Sequence, residues 1–138
     1  MAAVVGFIGG AKVDTHFLQV TCGRFGRDFA SISAVSLDQK PLGTSARVLV
    51  TVVARAGNQG TMWNAIHTSL GANWGHGPTI AERVPATITL RGDASRVVYA
   101  LAPDGVRTKK IATQKRSGAL TFTIDPDDRT LHYEVVAP

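Results

Sequence analysis

Hydrophobic and polar residues alternate with a period of two along most of this 138-residue chain. Such alternation is typical of β-strands with one buried face, and no stretch has the period of an amphipathic helix. The pattern predicts strands over residues 4–8, 16–22, 29–37, 47–55, 86–90, 96–101, 120–124 and 131–135. About eight or nine short strands separated by turns predict an all-β fold, namely a β-sandwich with a jelly-roll arrangement.

Polar turn signals separate the predicted strands without marking a domain boundary. Proline or Asp-Gly marks the turns at 38–41, 102–105 and 125–128, and a polar run marks the turn at 91–95. These residue types favour turns because they supply fixed or positive φ angles. We therefore expect residues 1–138 to form one β-sandwich domain, a length that suits a single core.

The predicted core is made of apolar residues that alternate along five strands. The strand over residues 47–55 is apolar on both faces, which indicates a central strand covered on both sides. In the last strand we expect His132 and Glu134 to face solvent. The predicted core residues are Val48, Val50, Val52, Ile88, Tyr99, Leu101, Phe122, Ile124, Leu131 and Tyr133.

Residues 57–78 break the alternation and form the chemically richest stretch of the chain. They hold both tryptophans, Trp63 and Trp74, together with two of the four histidines, three asparagines and five glycines. No hydrophobic period runs through them, so we expect a long, ordered loop between strands. A loop of this length inside a compact domain is usually functional or covers part of the core.

The composition favours a globular domain with part of its surface in an interface. Apolar residues make up 44% of the chain and charged residues only 18%, which is low for a free-standing domain. The net charge of +5 is spread over many arginines, and this pattern favours a solvated face over a nucleic-acid groove. No apolar run is long enough for a membrane helix.

The start of the chain suggests a domain excised from a longer protein, because the first predicted strand begins very close to Met1. The same segment lacks the charged and apolar regions of a signal peptide. Cys22 is the single cysteine, so no disulfide can form within the chain. We expect Cys22 to be a small buried hydrophobe.

Catalytic chemistry finds little support in the residue pattern. His67 and His76 lie nine residues apart without a third ligand nearby, so no metal site is predicted. Most of the ten acidic residues fall in turns, and no pair of them suggests glycoside hydrolysis. Asp125, Asp127 and Asp128 offer only an incomplete ligand set for a structural calcium ion. We expect a non-catalytic chain without a cofactor, with this calcium site as the open alternative.

The sequence supports a binding site better than a catalytic site. Tryptophan and asparagine are neighbours twice, at Trp63-Asn64 and at Asn73-Trp74, about ten residues apart. An indole ring can cover the C–H face of a sugar while neighbouring amides bond its hydroxyl groups. The candidate carbohydrate-binding residues are Trp74, Trp63, Asn73, Asn64 and His67. Each tryptophan could instead cap an open end of the sandwich. We expect Trp63 to be buried, whereas sugar binding and burial are equally favoured for Trp74. His67 also suits a structural role, in which its ring makes a hydrogen bond within the protein.

Several motifs resemble the C-terminal accessory β-sandwich of large bacterial glycoside hydrolases. They include Ser36-Leu37-Asp38-Gln39-Lys40-Pro41-Leu42, residues 47–51, and 54–64, ARAGNQGTMWN, and they continue through 68–69, 74–75, 77–79, 84–88, 97–101, 104–105 and 131–135. The resemblance covers most of the chain after Phe29, but the catalytic barrel of those enzymes is not present.

The resemblance implies an accessory role beside the catalytic domain of a larger enzyme. The expected ligand is a plant cell-wall or microbial polysaccharide, and the expected location is extracellular or periplasmic. Neither a nucleic acid nor a membrane is an expected partner.

Three hypotheses follow for the function of the chain. The first is a carbohydrate-binding module of a polysaccharide-degrading enzyme, and the second is a structural accessory domain that packs on the catalytic barrel without binding sugar. The third is a basic surface that binds acidic polymers, for which binding would weaken steeply with salt. Solvent exposure of Trp63 and Trp74 distinguishes the first two hypotheses.

Overall fold

The computed structural model describes residues 1–138 except for the side chain of Pro126, and it contains thirteen strands and one short 3-10 helix at Pro126–Asp128. The strands are β1 Ala2–Phe7, β2 Lys12–Asp14, β3 Leu18–Cys22, β4 Phe29–Ser36, β5 Arg47–Val53, β6 Ala56–Gln59, β7 His76–Ala81, β8 Ala86–Arg91, β9 Val97–Leu101, β10 Arg107–Ile111, β11 Thr113–Arg116, β12 Ala119–Ile124 and β13 His132–Val136. The predicted all-β class is confirmed.

Two large antiparallel sheets and one small one contain all these strands. The six-stranded sheet has the order β1-β4-β5-β13-β9-β10, and the five-stranded sheet has the order β11-β12-β8-β3-β2. Strands β6 and β7 form a separate two-stranded sheet. The two large sheets face each other across one core, as in a β-sandwich, but the expected jelly-roll arrangement is not confirmed by this order.

The core lies between the inner faces of the two large sheets. Side chains from β4 and β5, such as Ile32 and Val50, meet side chains from β8 and β12, such as Ile88 and Phe122, in one hydrophobic cluster. Period-two alternation produces this layer because successive side chains of a strand point to opposite faces. Buried members of the predicted core are Val48, Val50, Val52, Ile88, Leu101, Phe122, Ile124 and Tyr133.

The predicted number of strands is too small, because β2, β6, β7, β10 and β11 do not appear in the hydrophobic pattern. All six residues of β7 are exposed, and so are four of the five residues of β10. A strand that exposes both faces has no reason to alternate, so its existence depends on the partner strand with which it pairs. The eight predicted strands are all present, with bounds that differ by a few residues.

Two of the predicted core residues lie outside the core. Tyr99 is on the outer face of β9, where its ring lies 4.7 Å from the guanidinium carbon of Arg107, while Val98 and Ala100 point inward. Leu131 precedes β13 and is only partly buried. The prediction of Tyr99 is wrong because Val97-Val98-Tyr99 is apolar on both faces, and only the packing of the sheets decides which face is covered.

Strand β5 is central, but its outer face is not covered by another layer of the described chain. Val48, Val50 and Val52 are buried on the inner face, as predicted. On the outer face Leu49 is partly buried and Val53 is exposed. The expectation of a strand covered on both sides is therefore wrong, because the outer side chains of β5 remain partly or fully exposed.

We expected Glu134 to face solvent together with His132, and this is wrong for Glu134, which is only 3% exposed. Its carboxylate accepts hydrogen bonds from Arg47 Nε at 2.5 Å and from Arg107 Nε at 2.6 Å across the outer face of the six-stranded sheet. Burial by itself raises the pKa of Glu134, but the bonds from Arg107 and Arg47 outweigh it and leave the pKa below its ordinary value. The long arginine side chains cover the carboxylate.

A buried arginine and a turn aspartate hold the connection between β4 and β5. Arg96 is almost fully buried, and its Nε and Nη1 donate to the carbonyl oxygens of Asp93 and Leu42 at 2.7 and 3.0 Å. Asp38 accepts from Ser45 Oγ at 2.6 Å, and this bond with its other donors keeps the pKa of Asp38 well below the usual range. Arg96 is thus an exception to the expected solvated arginines, because backbone carbonyls take the place of water.

Candidate functional site

Residues 56–81 form a long hairpin whose strands β6 and β7 make a two-stranded sheet of their own, separate from the two large sheets. Its strands pair in the register Ala56↔Ala81, Gly57↔Ile80 and Asn58↔Thr79, with an irregularity after Asn58. The stretch predicted as a loop over 57–78 is therefore part strand and part loop, with the loop proper at 60–75. Every residue of β7 is exposed, so the hairpin buries almost no apolar surface of its own.

Hydrogen bonds around the backbone of Trp74 hold the two arms of the hairpin together. The Trp74 carbonyl oxygen accepts from Asn58 Nδ2 at 3.2 Å and from Thr61 Oγ1 at 3.1 Å. Thr79 Oγ1 donates to Asn58 Oδ1 at 3.0 Å, and the Met62 amide donates to the Asn73 carbonyl oxygen at 3.2 Å. These bonds satisfy backbone groups that would otherwise depend on water, and they order the loop without a hydrophobic core.

Gly75 allows the arms to approach each other at this point. Its φ is +70°, and a Cβ there would lie 2.4 Å from the Gln59 carbonyl oxygen and 2.7 Å from the Thr61 amide nitrogen. Only glycine combines this backbone conformation with so close a contact. The position of Trp74 in the hairpin thus depends on the glycine that follows it.

The tip of the hairpin is a turn organised by Asn64. Its side-chain Oδ1 accepts from the Thr68 amide at 2.8 Å and from the Ser69 amide at 3.3 Å, while Nδ2 donates to Thr68 Oγ1 at 3.0 Å. His67 lies in this turn with a φ of +54°. The Asn64 amide is therefore engaged within the loop, as is typical of asparagine in turns.

Both tryptophans are exposed and line one groove on the side of the hairpin. Trp63 is 46% exposed and Trp74 is 64% exposed. The expected burial of Trp63 is wrong, because Trp63 lies in the hairpin loop and is not part of the hydrophobic cluster between the two large sheets. The groove has a volume of about 540 Å³, and its lining consists of Arg55, Ala56, Gly57, Asn58, Gly60, Thr61, Trp63, Leu70, Trp74, Ile80, Ala81 and Glu82.

Two charged residues at the base of the hairpin also line the groove, and sequence reasoning missed them. The Glu82 amide donates to the Arg55 carbonyl oxygen at 2.8 Å, so the hairpin pairing places the two residues side by side. Glu82 Oε2 is buried and accepts no hydrogen bond from the described residues, and its carboxylate lies against Gly26, where a Cβ would collide with it. The sequence indicates these two residues only by their position, because Arg55 shortly precedes and Glu82 shortly follows the stretch that contains both tryptophans.

The groove contains Trp63 and Trp74 but not the other three candidate residues. Asn73 contributes its backbone to the loop, where its amide donates to the Leu70 carbonyl oxygen at 2.8 Å. His67 lies beside the groove, with its ring centroid 6.4 Å from that of Trp63 and its ring nitrogens 3.1 Å from Arg27 Nη2. This contact with Arg27 connects the tip of the hairpin to the loop between β3 and β4.

The carboxylates of the 125–128 turn serve the protein itself. Asp125 Oδ1 accepts from the Asp127 amide at 2.9 Å, and Asp128 binds Lys109 Nζ at 2.6 Å and the Tyr133 hydroxyl at 3.2 Å. Among the described residues, no group of three or more His, Cys, Asp or Glu side chains could hold a metal ion. The turn is therefore a helix cap with an ion pair, and its acidic residues have local partners.

Cys22 is a free cysteine inside the core. Cys22 is buried, its Sγ lies 3.6 Å from the Pro85 carbonyl oxygen, and burial raises the pKa of its thiol. This environment suits a small core residue rather than a nucleophile.

In the described part of the chain, no helix has the length and hydrophobicity needed to cross a bilayer.

Comparisons with protein-family models, with curated proteins and with solved structures find no match to this chain. The resemblance to accessory domains of glycoside hydrolases therefore depends on the sequence motifs alone. The function has to be inferred from the hairpin and from the groove beside it.

Proposed function

We propose that this chain is a non-catalytic carbohydrate-binding module of a polysaccharide-degrading glycoside hydrolase, and that the hairpin groove holds the sugar. The observation that carries the proposal is the exposure of Trp63 and Trp74 in one groove. Large aromatic rings are normally covered unless they have a partner to bind, because exposed indoles forgo a large hydrophobic stabilisation. A flat indole suits the C–H face of a pyranose ring.

The polar groups of the groove match the hydroxyl groups of a sugar. Both ends of the Asn58 side-chain amide are engaged with Trp74 and Thr79, so Asn58 acts as a brace. Glu82 can accept hydrogen bonds from hydroxyl groups and Arg55 can donate to them. An apolar site with a few directed polar groups is the usual composition of a small-ligand site.

The ligand in this proposal is a neutral plant cell-wall or microbial polysaccharide, and binding is weak. Base–aromatic stacking contributes about 1–3 kcal/mol per ring, and we take this as the analogy for a sugar on an indole. Rings rather than charges would carry most of the affinity, so we expect little dependence on salt. Such a module would act outside the cell or in the periplasm, attached to a parent catalytic domain.

Affinity electrophoresis through soluble glucans, xylans and mannans tests the proposal. We expect one of these glycans to retard the wild type, and Trp74→Ala to abolish most of the retardation. Ile66→Ala is the matched control, because Ile66 is also an exposed apolar residue of the same hairpin but does not line the groove. Equal losses in both variants, or no retardation of the wild type by any glycan, would contradict the proposal.

A second substitution separates stacking from hydrogen bonding in the same groove. Glu82→Gln keeps the shape of the side chain but replaces a charged acceptor with a neutral one. We expect binding to weaken by about 1 kcal/mol, the difference between charged and neutral hydrogen bonds, while the fold is unchanged. An unaltered affinity would show that Glu82 does not contact the sugar.

One observation favours the alternative of a structural accessory domain that packs on the catalytic barrel without binding sugar. Apolar exposure on the hairpin continues outside the groove at Met62 and Ile66. Contiguous exposed apolar residues are also typical of protein interfaces. If no glycan binds, and if the hairpin becomes protected from proteolysis only when a catalytic domain is attached, this alternative is preferred.

A further inference from the structure

Strand β1 is one of the four edge strands of the two large sheets, and it differs from the other three in having no charged side chain. An unpaired edge presents free N–H and C=O groups, and natural proteins usually protect it with charged side chains. The other described edges have this protection: Arg107, Lys109 and Lys110 on β10, Lys115 and Arg116 on β11, and Lys12 and Asp14 on β2. Strand β1, Ala2–Phe7, has the sequence AAVVGF and no charged residue.

The outer face beside this edge is apolar and exposed. Val5 is 62% exposed, and Phe7 is still more exposed. The register Val5↔Ser31↔Val53 and Phe7↔Phe29 places four apolar side chains on the same face, and the two phenyl rings lie edge to face with centroids 5.2 Å apart. We call Val5, Phe7, Phe29 and Val53 the β1 patch.

The strands β1 and β4 add no charge repulsion where two copies of this positively charged chain meet at the β1 edge. The chain carries a net charge of +5, which opposes self-association at most surfaces. Neither β1 nor its neighbour β4, Phe29–Ser36, contains a charged residue. Two copies that meet here therefore bring no like charges into opposition along their strands.

We propose that β1 pairs antiparallel with β1 of a second copy, which joins the two six-stranded sheets into one continuous sheet across a two-fold axis. Antiparallel pairing of a strand with itself is an isologous contact, in which each copy uses the same surface. The free backbone groups of both edges gain partners, and Val5 and Phe7 of the two copies meet on one face. Phe29 and Val53 lie one and two strands behind them. The proposal does not depend on the carbohydrate-binding function.

The size of the contact predicts a weak, reversible dimer. Aromatic side chains bury roughly 150–250 Å² each, and besides the strand edge each copy brings only Val5 and Phe7 directly against its partner. Stable interfaces bury about 1,200–2,000 Å² in total, so this contact lies at the low end. The fraction of dimer should therefore rise with protein concentration, as mass action requires.

Sedimentation velocity over a wide concentration range tests the proposal on the complete chain. We expect the wild type to shift from monomer towards dimer, and Val5→Lys to weaken dimerisation about tenfold or more, because like charges then face each other across the axis. Val106→Lys is the matched control, since Val106 is 59% exposed and lies in the turn between β9 and β10, away from β1. It should dimerise almost like the wild type.

A mixing experiment makes the test specific to the two-fold contact. A two-fold axis through an antiparallel strand pair sets one residue opposite its own copy, and Val5 is the outward-facing residue nearest the middle of β1, so the proposal places the two Val5 side chains at the axis. Val5→Lys mixed with Val5→Glu should therefore form a heterodimer more readily than either variant forms a homodimer. Ala3→Lys, on the same exposed face, replaces Val5→Lys if that variant does not fold.

Three results would overturn the proposal. The first is a wild type that stays monomeric at every concentration. The second is equal weakening by Val5→Lys and Val106→Lys, which would reflect net charge rather than the β1 edge. The third is a mixture of the Lys and Glu variants that associates no better than its separate components.

Discussion

The sandwich core and the 56–81 hairpin are ordered by different interactions. In the core, Phe122 and Val50 are buried between two sheets. The core is stable because folding removes such apolar surface from water. In the hairpin, every residue of β7 is exposed, and order comes from hydrogen bonds to the Trp74 carbonyl and from the glycine at position 75. Stability and the candidate recognition surface are thus separated, so substitutions in one region should leave the other largely unchanged.

The largest effect is expected from removing a core ring. Phe122 packs beside Tyr133, with ring centroids 5.8 Å apart, and is almost fully buried. Phe122→Ala should lower the free energy of unfolding by about 3–5 kcal/mol, through lost transfer energy and the cavity that remains. Denaturant titration measures this loss, with exposed Phe7→Ala as the control. A loss below about 1 kcal/mol would mean that Phe122 does not belong to the core.

The next effect concerns the buried carboxylate of Glu134 on the outer face. Because its folded pKa is depressed by Arg107 and Arg47, its contribution is present above the unfolded pKa and is lost as pH falls through the folded one. Glu134→Gln should cost about 1–2 kcal/mol at neutral pH, since both arginines are half exposed and partly screened. The difference from the wild type should shrink below about pH 4.

Denaturant titrations of both proteins at several pH values would measure this difference. A double-mutant cycle with Arg107→Met isolates the pairwise part of the effect. A gap between wild type and variant that stays constant down to acid pH would contradict the assignment.

A smaller and local effect is expected from Gly75→Ala. A Cβ at this position meets the backbone of the opposite arm, so the hairpin should open while the sandwich stays folded. The global stability should change by less than about 1 kcal/mol, whereas amide exchange within 56–81 should accelerate. Hydrogen-exchange mass spectrometry compares this region with β5 and β8. Gly57→Ala is the control because a Cβ there meets nothing within 4 Å, and similar exchange in both variants would refute the role of Gly75.

The smallest effect on stability is expected from Trp74→Ala. Its indole is mostly exposed, so the free energy of unfolding should change by no more than about 0.5 kcal/mol. Thermal melts measure this beside the binding experiment, in which the same variant should lose most of its affinity. A steep fall in melting temperature would instead make Trp74 a packing residue and would favour the scaffold alternative.

Much of the sandwich could be predicted from the sequence because strand alternation is local. Ile88 shows its buried face through its polar neighbours Thr87 and Thr89, and Phe122 does so through Thr121 and Thr123. Turns were equally readable, since proline and Asp-Gly act through their own φ angles. These features depend on neighbouring residues in the chain, and no distant contact is needed to establish them.

The remaining features were decided by contacts between distant parts of the chain. Tyr99 faces outward because the sheets pack on Val98 and Ala100. Glu134 is buried because strand pairing places Arg47 and Arg107 over its carboxylate. Strand β7 exists because it pairs with β6, and that pairing brings Arg55 and Glu82 into the groove with the tryptophans.

The sequence by itself determined that Trp63 and Trp74 lie in an irregular stretch, and the tertiary structure decided that they are exposed together. The physical reason is that periodicity records the burial of a single strand, whereas exposure and convergence depend on which other segments fold against it.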